Sequence, residues 1–483
     1  GIATYVTLQG TYDSLLYSRD AYYERYRMAD VFALAKRAPD AVADRLEAID
    51  GVARVHPRVS ELVNLPFPHD AEPAVGRIVS LPAGGGPPPL NGLVLERGRW
   101  PAPERGDEVL LLDNFAAARG LAPGDTLPAI LNGTQRELTI VGTALSPEFV
   151  FAMEPGNAVP EPNAFAVVWM LEDAVAAAFR MEGAFNDVVL RLQPGANERA
   201  VLERVDAILE PYGGAGAVGR GQQQSHYFLS EEIAQLEQLA TVVPYIFLAV
   251  AAFLLNVVLS RLIHLQRPQI AALKALGYSD FAIGLHFLKL VIVVVVLGAV
   301  FGIAAGAWMG RGMMGLYTDY FHFPVLSYRL DWRVALVGVG VSLVAAVAGS
   351  LLAVRSVARL APAEAMRPPA PPRYRRSLLE RLGVLSLFGT SARMVVREVT
   401  RRPLRTGLSV LGISMAVAIT VAGRFGADAF EHLIEQVFQR AMTEDLTVTF
   451  VRPMPERAVG ELDALPGVHR AEGMRSVPVR FER

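Results

Sequence analysis

Four stretches of the chain are long and apolar enough to cross a bilayer, whose hydrocarbon core of about 30 Å requires about 20 mainly apolar helical residues. They are residues 239–262, 283–308, 334–354 and 404–424. The third contains no charged residue at all. One such stretch is also compatible with a buried helix of a soluble protein, but four together predict an α-helical membrane protein.

Basic residues next to these stretches predict their orientation, because cytoplasmic loops are enriched in Lys and Arg. The link between the first two stretches carries Arg261, Arg267 and Lys274 against a single acid, Asp280. The segment 355–405 holds twelve arginines against three glutamates. Both segments are therefore predicted to be cytoplasmic. The chain is then predicted to be a multi-pass membrane protein with its large domains on the external side.

The first 230 residues predict an external α+β domain. Residues 1–10 are apolar and indicate the end of a truncated first transmembrane helix, and residues 11–230 form the domain. Alternating apolar residues predict strands, and longer amphipathic patterns predict helices. The predicted strands are Ala74–Leu81, Val109–Leu112, Arg136–Val141, Ala164–Trp169 and Asp187–Leu192. The predicted helices are Asp40–Ala48, Leu171–Phe179 and Asn197–Leu209.

The rest of the chain is predicted as a further series of segments. Tyr212–Gln224 is predicted to be a linker, and Ser230 to cap a stalk helix that enters the membrane. Residues 231–357 then comprise this stalk and three transmembrane helices. The remaining segments are a basic linker at 358–403 with an amphipathic helix over Ser377–Val399, a transmembrane helix at 404–424, and the start of a second external domain at 425–483.

A short internal repeat supports this second domain. The sequence Leu46-Glu-Ala-Ile-Asp-Gly51-Val52 recurs as Leu462-Asp-Ala-Leu-Pro-Gly467-Val468. Each copy predicts a helix that ends at a glycine and is followed by a strand. The two copies therefore predict two tandem halves.

Composition removes several classes of function. Hydrophobic residues make up 52% of the chain and charged residues 19%, which is below the roughly 25% of soluble domains. The net charge of −2 does not favour a nucleic-acid partner. Because the chain has no cysteine, thiolate catalysis and zinc–sulfur sites are excluded.

No motif predicts a catalytic, cofactor or metal site. The run Gly214-Ala-Gly-Ala-Val-Gly219 spells a dinucleotide pattern but does not follow a predicted strand. His56 and His69 are scattered histidines, and the neighbouring Asp107 and Glu108 are predicted to be solvated charges. The apolar stretch Ser146–Met153 is compatible with a lipid-contacting surface or with ordinary core packing. The chain is therefore not expected to be an enzyme by itself.

Several segments resemble the FtsX-like permeases, the family that includes MacB, LolC, LolE and FtsX. The run from Arg261 to Tyr278 is similar to the loop between the second and third helices of that family. Residues Pro362–Arg367 resemble the exit from its fourth helix, and Arg397–Gly407 the entry to a second half. The runs Gly98-Arg-Trp100, Gly120–Thr126 and Ile140-Val-Gly142 resemble the MacB-type periplasmic core domain.

The resemblance implies a type VII ABC transporter-like fold, with two halves that each contain an external domain and four helices. It places the chain in the bacterial inner (cytoplasmic) membrane, with the large domains on the periplasmic or extracellular side. It also implies a cytoplasmic ATPase of the MacB or LolD type as the partner that binds ATP. A second permease half or a homodimer, and a periplasmic adaptor, are further partners of this family. The short helix between the first two stretches is then the predicted ATPase-coupling helix. Its residues are Gln266, Arg267, Gln269, Ile270, Leu273, Lys274, Leu276 and Gly277.

Four glycines recur every four residues in the second stretch and form a smooth stripe on one side of a helix. They are Gly298, Gly302, Gly306 and Gly310. This pattern predicts close packing against another transmembrane helix, although it is also compatible with simple helix flexibility.

The leading hypothesis from the sequence is a permease that couples ATP hydrolysis in a partner to movement of its external domains. This movement would export or relocate an amphiphilic substrate such as a lipid, a lipoprotein or a hydrophobic compound. The alternative is a non-transporting relay that resembles FtsX and activates a periplasmic cell-wall hydrolase. A membrane enzyme with its site in residues 11–230 is a third, weaker hypothesis.

Overall fold

A computed structural model describes residues 1–68, 73–154, 161–358, 389, 394, 403–436, 444–448, 450 and 454–474. These residues form two compact units. The helical unit takes the described residues within 1–10, 237–310 and 329–448. The α+β unit takes those within 11–236, 311–328 and 449–483.

Eleven helices and eleven strands are described in chain order, besides short 3-10 turns. The helices are α1 (Ile2–Arg25), α2 (Ala41–Glu47), α3 (Asp113–Arg119), α4 (Glu172–Phe179), α5 (Glu198–Leu209), α6 (Gln224–Leu265), α7 (Arg267–Ala275), α8 (Asp280–Tyr320), α9 (Trp332–Ala358), α10 (Pro403–Gln436) and α11 (Arg457–Asp463). The strands are β1 (Val31–Pro39), β2 (Val52–Arg58), β3 (Ser60–Leu65), β4 (Ala74–Leu81), β5 (Val94–Gly98), β6 (Glu108–Leu112), β7 (Thr126–Leu131), β8 (Thr134–Leu145), β9 (Phe165–Leu171), β10 (Ala184–Leu192) and β11 (Val218–Gly219).

The α+β unit contains two sheets. The smaller sheet is antiparallel, with the strand order β11-β1-β10-β2. Successive residues of a strand point to opposite faces, so Val188 and Leu190 of β10 pack with α2 and α5 on one face. Val189 belongs to a separate core on the other face.

The larger sheet has the order β5-β8-β6-β9-β4-β3-β7, and a further pairing of β7 with β8 closes it on itself. Every residue of β6 and of β9 is buried. Val109 packs with Phe115 in one core, whereas Leu110 packs with Trp169 in another. A strand that is buried on both faces needs a continuous apolar run, which explains the sequence of β6 and β9.

The secondary structure predicted for residues 11–230 is confirmed for all five strands and all three helices. Strand β4 has the predicted bounds, and the Asn197 side chain accepts a hydrogen bond from the Ala200 amide at the start of α5 (3.3 Å). Asn132 and Gly133 both have positive φ in the two-residue turn between β7 and β8, as a hairpin of this length requires.

Two local predictions were wrong. Ser230 does not begin the stalk helix, because α6 already starts at Gln224, and the Ser230 hydroxyl instead lies 3.1 Å from Nε2 of His226. The predicted linker at 212–224 also contains β11, which pairs with β1. Tertiary pairing therefore orders a Gly-rich segment whose composition is typical of a linker.

Three helices of the described chain are long and apolar enough to cross a membrane, namely α6, α8 and α9. They contain the predicted stretches at 239–262, 283–308 and 334–354. Helix α10 covers the fourth stretch, whose membrane crossing stays a prediction. The predicted amphipathic helix over Ser377–Val399 lies outside the described residues, apart from positions 389 and 394.

The helix and the turn of the internal repeat have the same backbone in both copies, but Val52 begins strand β2 whereas the described residues 468–474 form no strand. Helices α2 and α11 each have seven residues, and each is followed by a glycine with positive φ, +89° at Gly51 and +96° at Gly467. The amides of Val52 and Val468 each donate to the carbonyl oxygen three residues earlier (3.1 Å in both copies).

Two of the four stripe glycines contact α1 within the helical unit. A Cβ atom added at Gly302 would lie 2.9 Å from Cβ of Ile2, and one at Gly306 would lie 2.7 Å from the Ala3 carbonyl oxygen. The Thr7 hydroxyl also donates to the Gly306 carbonyl oxygen (3.1 Å). At Gly298, no atom of the described chain lies within 4 Å of such a Cβ. Because glycine has no side chain, α1 and α8 approach closely at Gly302 and Gly306.

We expect Gly306→Val to destabilise the protein by about 1–3 kcal/mol, because the added methyl groups overlap with α1. Thermal unfolding of the purified protein in detergent measures this change. Gly298→Val is the matched control, since it makes the same change in the same helix where space is open. Equal effects of the two substitutions would contradict close packing at Gly306.

Candidate functional site

Helix α7 is a short, separately capped helix between the long helices α6 and α8. Pro268 occupies its first turn, where a missing amide hydrogen costs little. Its end is closed by Gly277, which has φ of +94°. The Gly277 amide donates to the Lys274 carbonyl (3.0 Å) and the Tyr278 amide to the Leu273 carbonyl (3.1 Å). This pair of hydrogen bonds is a Schellman motif, so the chain turns sharply into α8.

One side of α7 is anchored to the helical unit. Ile270 is 2% exposed and packs in a core with Leu259 and Ile263 of α6 and with Phe287 of α8. Lys274 is also largely buried, and its Nζ lies 2.6 Å from Oδ1 of Asp280, the first residue of α8. An apolar contact and an ion pair therefore fix α7 against the ends of both neighbouring helices.

Large apolar side chains within α7 and next to its two ends are exposed. Leu276 and Phe281 are each 78% exposed, and Leu265, Leu273 and Tyr278 are also exposed. We call these five residues the α7 surface. Clustered exposed apolar side chains mark sites of interaction with a protein or a membrane.

The predicted coupling residues divide between these two sides. Ile270 and Lys274 are buried, whereas Leu273 and Leu276 belong to the α7 surface. Gln269 is exposed, Gln266 and Arg267 are half-buried, and Gly277 shapes the turn. The residue that the sequence interpretation missed is Phe281. The signal available for it was an aromatic residue directly after Asp280, the single acid of the basic link.

The α+β unit contains a buried ion cluster formed by Arg58, Glu148 and Asp187. Arg58 ends β2 and lies opposite Asp187 of β10, whereas Glu148 lies in the 3-10 turn after β8. Nη1 and Nη2 of Arg58 donate to the two carboxylate oxygens of Glu148 (2.7 and 2.6 Å). Nη2 also lies 3.1 Å from Oδ2 of Asp187. The cluster therefore joins the two sheets.

The electrostatics of the cluster differ between its two acids. Burial by itself raises the pKa of Glu148, but the Arg58 charge and hydrogen bonds from Arg58 and Asn91 outweigh burial and lower this pKa. Burial and the Glu148 charge raise the pKa of Asp187, and the weaker contact with Arg58 does not compensate. The Arg58 pKa is raised, because the two carboxylates outweigh the effect of burial.

The cavity beside this cluster is too small for a substrate. Its volume is about 10 Å³, which corresponds to one water molecule, and its lining includes His56, Asn91 and Trp169. Burial, followed by repulsion from Arg58, lowers the His56 pKa to about 4, so this imidazole is neutral near pH 7. The cluster thus has a structural role, which is to link the two sheets.

The remaining candidate groups also have structural surroundings. Glu108 is buried rather than solvated: hydrogen bonds from Arg99 (2.6 and 2.7 Å) lower its pKa to about 2. His69 lies outside the described residues. Within the described residues, no group of three or more His, Asp or Glu side chains is placed to hold a metal ion.

The apolar stretch Ser146–Met153 is part of the protein core. Val150 is fully buried, and Met153 is 6% exposed. Phe149 contacts the Trp169 ring edge-on, with 6.2 Å between ring centroids. These contacts favour core packing over a lipid-contacting surface for this stretch.

Comparison with known proteins identifies one domain of the chain. Residues 241–362, which contain α7, match the family model of the FtsX-like permease C-terminal domain. The chain is also related to an uncharacterized ABC transporter permease protein of Mycobacterium tuberculosis, Rv0987, with 21% identity over 433 residues. The match covers 76% of this chain and 49% of the relative, so the chain spans about half the length of that protein.

Solved structures of external permease domains are also similar to part of the chain. The periplasmic region of MacB from Actinobacillus actinomycetemcomitans matches with 11% identity and a TM-score of 0.28, covering 44% of this chain and 95% of that one. The extracellular domain of the ABC-type transporter YknZ from Gram-positive bacteria matches with 10% identity and a TM-score of 0.26, covering 38% and 97%.

We expect Ile270→Ala to destabilise the protein by about 2–5 kcal/mol, because it leaves a cavity where α7 meets α6 and α8. Leu276→Ala removes an exposed side chain of similar size and should change stability by no more than about 0.5 kcal/mol. Thermal unfolding in detergent distinguishes the two variants. A large effect of Leu276→Ala would show that the α7 surface is covered within the chain.

Proposed function

From the premise that residues 241–362 are an FtsX-like permease domain, we propose that this chain is the permease part of an ABC transport system. A separate cytoplasmic ATPase of the MacB or LolD type hydrolyses ATP, and the permease converts this hydrolysis into movement of its external domains. The single observation that carries the proposal is the α7 surface within the matched domain, which is anchored on one side and exposed and apolar on the other.

The charges around α7 support a cytoplasmic location for this surface. Arg261, Arg267 and Lys274 lie in or next to the link between α6 and α8, and Asp280 is the acid that pairs with Lys274. An excess of basic residues favours retention of a loop in the cytoplasm. The α7 surface is then accessible to a soluble ATPase, and residues 11–236 lie on the periplasmic or extracellular side.

The anchoring of α7 supports transmission of force. Because Ile270 packs against both α6 and α8 and Lys274 is ion-paired to the start of α8, a displacement of α7 acts on both helices. Each of these helices is continuous for more than 40 residues, with α6 containing one internal proline, Pro244. Movement at the α7 surface would therefore be carried along the two helices out of the apolar stretches.

The proposed cargo rests on the family resemblance. We propose export or relocation of an amphiphilic substrate, such as a lipid, a lipoprotein or a hydrophobic compound. The working assembly contains a second permease half or a second copy of this chain, and a periplasmic adaptor is a further candidate partner.

We expect Leu276→Asp and Phe281→Asp to abolish co-purification with the ATPase, because each places a charge in an apolar contact surface. The measurement is recovery of a tagged chain together with candidate ATPases, followed by assay of ATP hydrolysis. Leu62→Asp is the control, since Leu62 is also an exposed leucine but lies on β3 of the α+β unit. Recovery of the complex at wild-type yield with both α7 variants would exclude this docking surface.

The orientation is testable with single cysteines, because the natural chain contains none. We expect Ala122→Cys to react with a membrane-impermeant maleimide in intact cells, and Ala272→Cys to react only after permeabilisation. Both positions are exposed in the structure, so a difference in labelling reports the side of the membrane. The reverse pattern would invert the topology and remove the proposed function.

A further inference from the structure

The buried cluster of Arg58, Glu148 and Asp187 has one more acid than base. Their side chains are only 6%, 9% and 6% exposed, respectively. When all three are ionised, the cluster carries a net charge of −1 inside the α+β unit. Burial of an uncompensated charge is costly, and uptake of a proton by one carboxylate relieves this cost.

The contacts identify which acid takes the proton. Glu148 receives two short hydrogen bonds from Arg58 and a third from Nδ2 of Asn91 (2.7 Å). All three stabilise its ionised form. Asp187 lies farther from Arg58, since its Oδ2 is 3.1 Å from Nη2 of Arg58. The same Nη2 is only 2.6 Å from Oε1 of Glu148. Glu148 therefore retains the negative charge.

The neighbouring elements do not supply the missing positive charge. On β2, burial and repulsion from Arg58 keep His56 neutral near pH 7. On β4, the half-buried Arg77 lowers the pKa of both acids from a distance, and it also acts on Glu61 of β3. On β1, the residue opposite Asp187 is the uncharged Leu34. With Arg77 and Glu61 included, the acids still outnumber the bases by one.

We propose that Asp187 is a proton-binding site that controls the strength of the ion pair between the two sheets. Its Oδ2 faces Arg58, so the proton is held on Oδ1. The ionised Asp187 competes with Glu148 for the Arg58 guanidinium. Because Arg58 and Asp187 belong to the smaller sheet and Glu148 follows β8 of the larger one, protonation of Asp187 leaves Arg58 to the ion pair between the sheets.

The sign of the pH dependence follows from the raised pKa of Asp187, which is caused by burial and by the Glu148 charge. The stability gained from proton binding at Asp187 is fully present below the pKa of Asp187 in the unfolded chain, about 3.9. It is lost as the pH rises through the higher pKa of the folded protein. The ion pair between the two sheets is thus stronger on the acid side of that transition.

Asp187→Asn tests the proposal, because asparagine imitates the neutral acid with nearly the same shape. We expect the melting temperature of this variant in detergent, measured in a pH series from about 5 to about 8, to exceed that of the wild type on the alkaline side of the Asp187 transition. The difference should shrink as the pH falls towards about 5. Glu148→Gln is the control, and its melting temperature should lie below the wild type at both pH values, because it removes the charge that pairs with Arg58.

Infrared difference spectra of the wild type between the same two pH values give a readout that does not depend on stability. The carbonyl stretch of a protonated carboxylic acid should appear on acidification and be absent in Asp187→Asn. In Glu148→Gln it should appear only at lower pH, because this variant removes the Glu148 charge that helps to raise the Asp187 pKa. If Asp187→Asn lowers the melting temperature at about pH 8 as much as Glu148→Gln does, Asp187 acts as an ion and the proposal is wrong. An unchanged carboxylic acid band in Asp187→Asn would also overturn it.

Discussion

Lipid offers neither donors nor acceptors of hydrogen bonds, so a chain inside a bilayer must satisfy its own backbone. This constraint accounts for the long continuous helices α6, α8 and α9. Packing between such helices depends mainly on how closely the shapes of their surfaces fit. Glycine provides that shape at several contacts. A Cβ atom at Gly338 would lie 2.9 Å from the Tyr5 ring, and one at Gly349 would lie 2.6 Å from the Ala252 carbonyl oxygen. The helical unit is therefore held by close backbone approach at small residues.

Helix α7 has a different environment because it lies where the apolar stretches end. Its inward side continues the apolar packing of α6 and α8 through Ile270, and its outward side presents Leu276 and Phe281. The Schellman motif at Gly277 makes the two roles compatible, since it reverses the chain within a few residues. The proposed force-transmitting contact would use this combination of a packed anchor and exposed apolar side chains.

The α+β unit is organised by charge as well as by apolar burial. Separate apolar cores lie against its two sheets, and the Arg58 cluster connects one sheet to the other. Buried ion pairs add little net stability, because desolvation offsets their attraction, but removal of one partner is costly. The cluster therefore fixes how the sheets meet more than it strengthens them, and the surplus acid makes this junction responsive to protons.

The sequence alone determined the features that depend on local patterns. Unbroken apolar stretches predicted α6, α8 and α9, and alternating residues predicted β4 and β10. These signals are local because helix and turn geometry link residues that are close in the chain. The family resemblance likewise depended on short runs, such as Arg261–Tyr278.

Only the tertiary structure decided which side chains are buried and which partners they meet. Ile270 and Leu276 are both apolar residues of one predicted coupling helix, yet packing against α6 and α8 buries the first and leaves the second exposed. Arg58 and Glu148 are 90 residues apart, and Glu108 is buried by Arg99 although its sequence neighbourhood is polar. Such contacts depend on long-range strand and helix packing, which a local pattern of hydrophobic and polar residues does not encode.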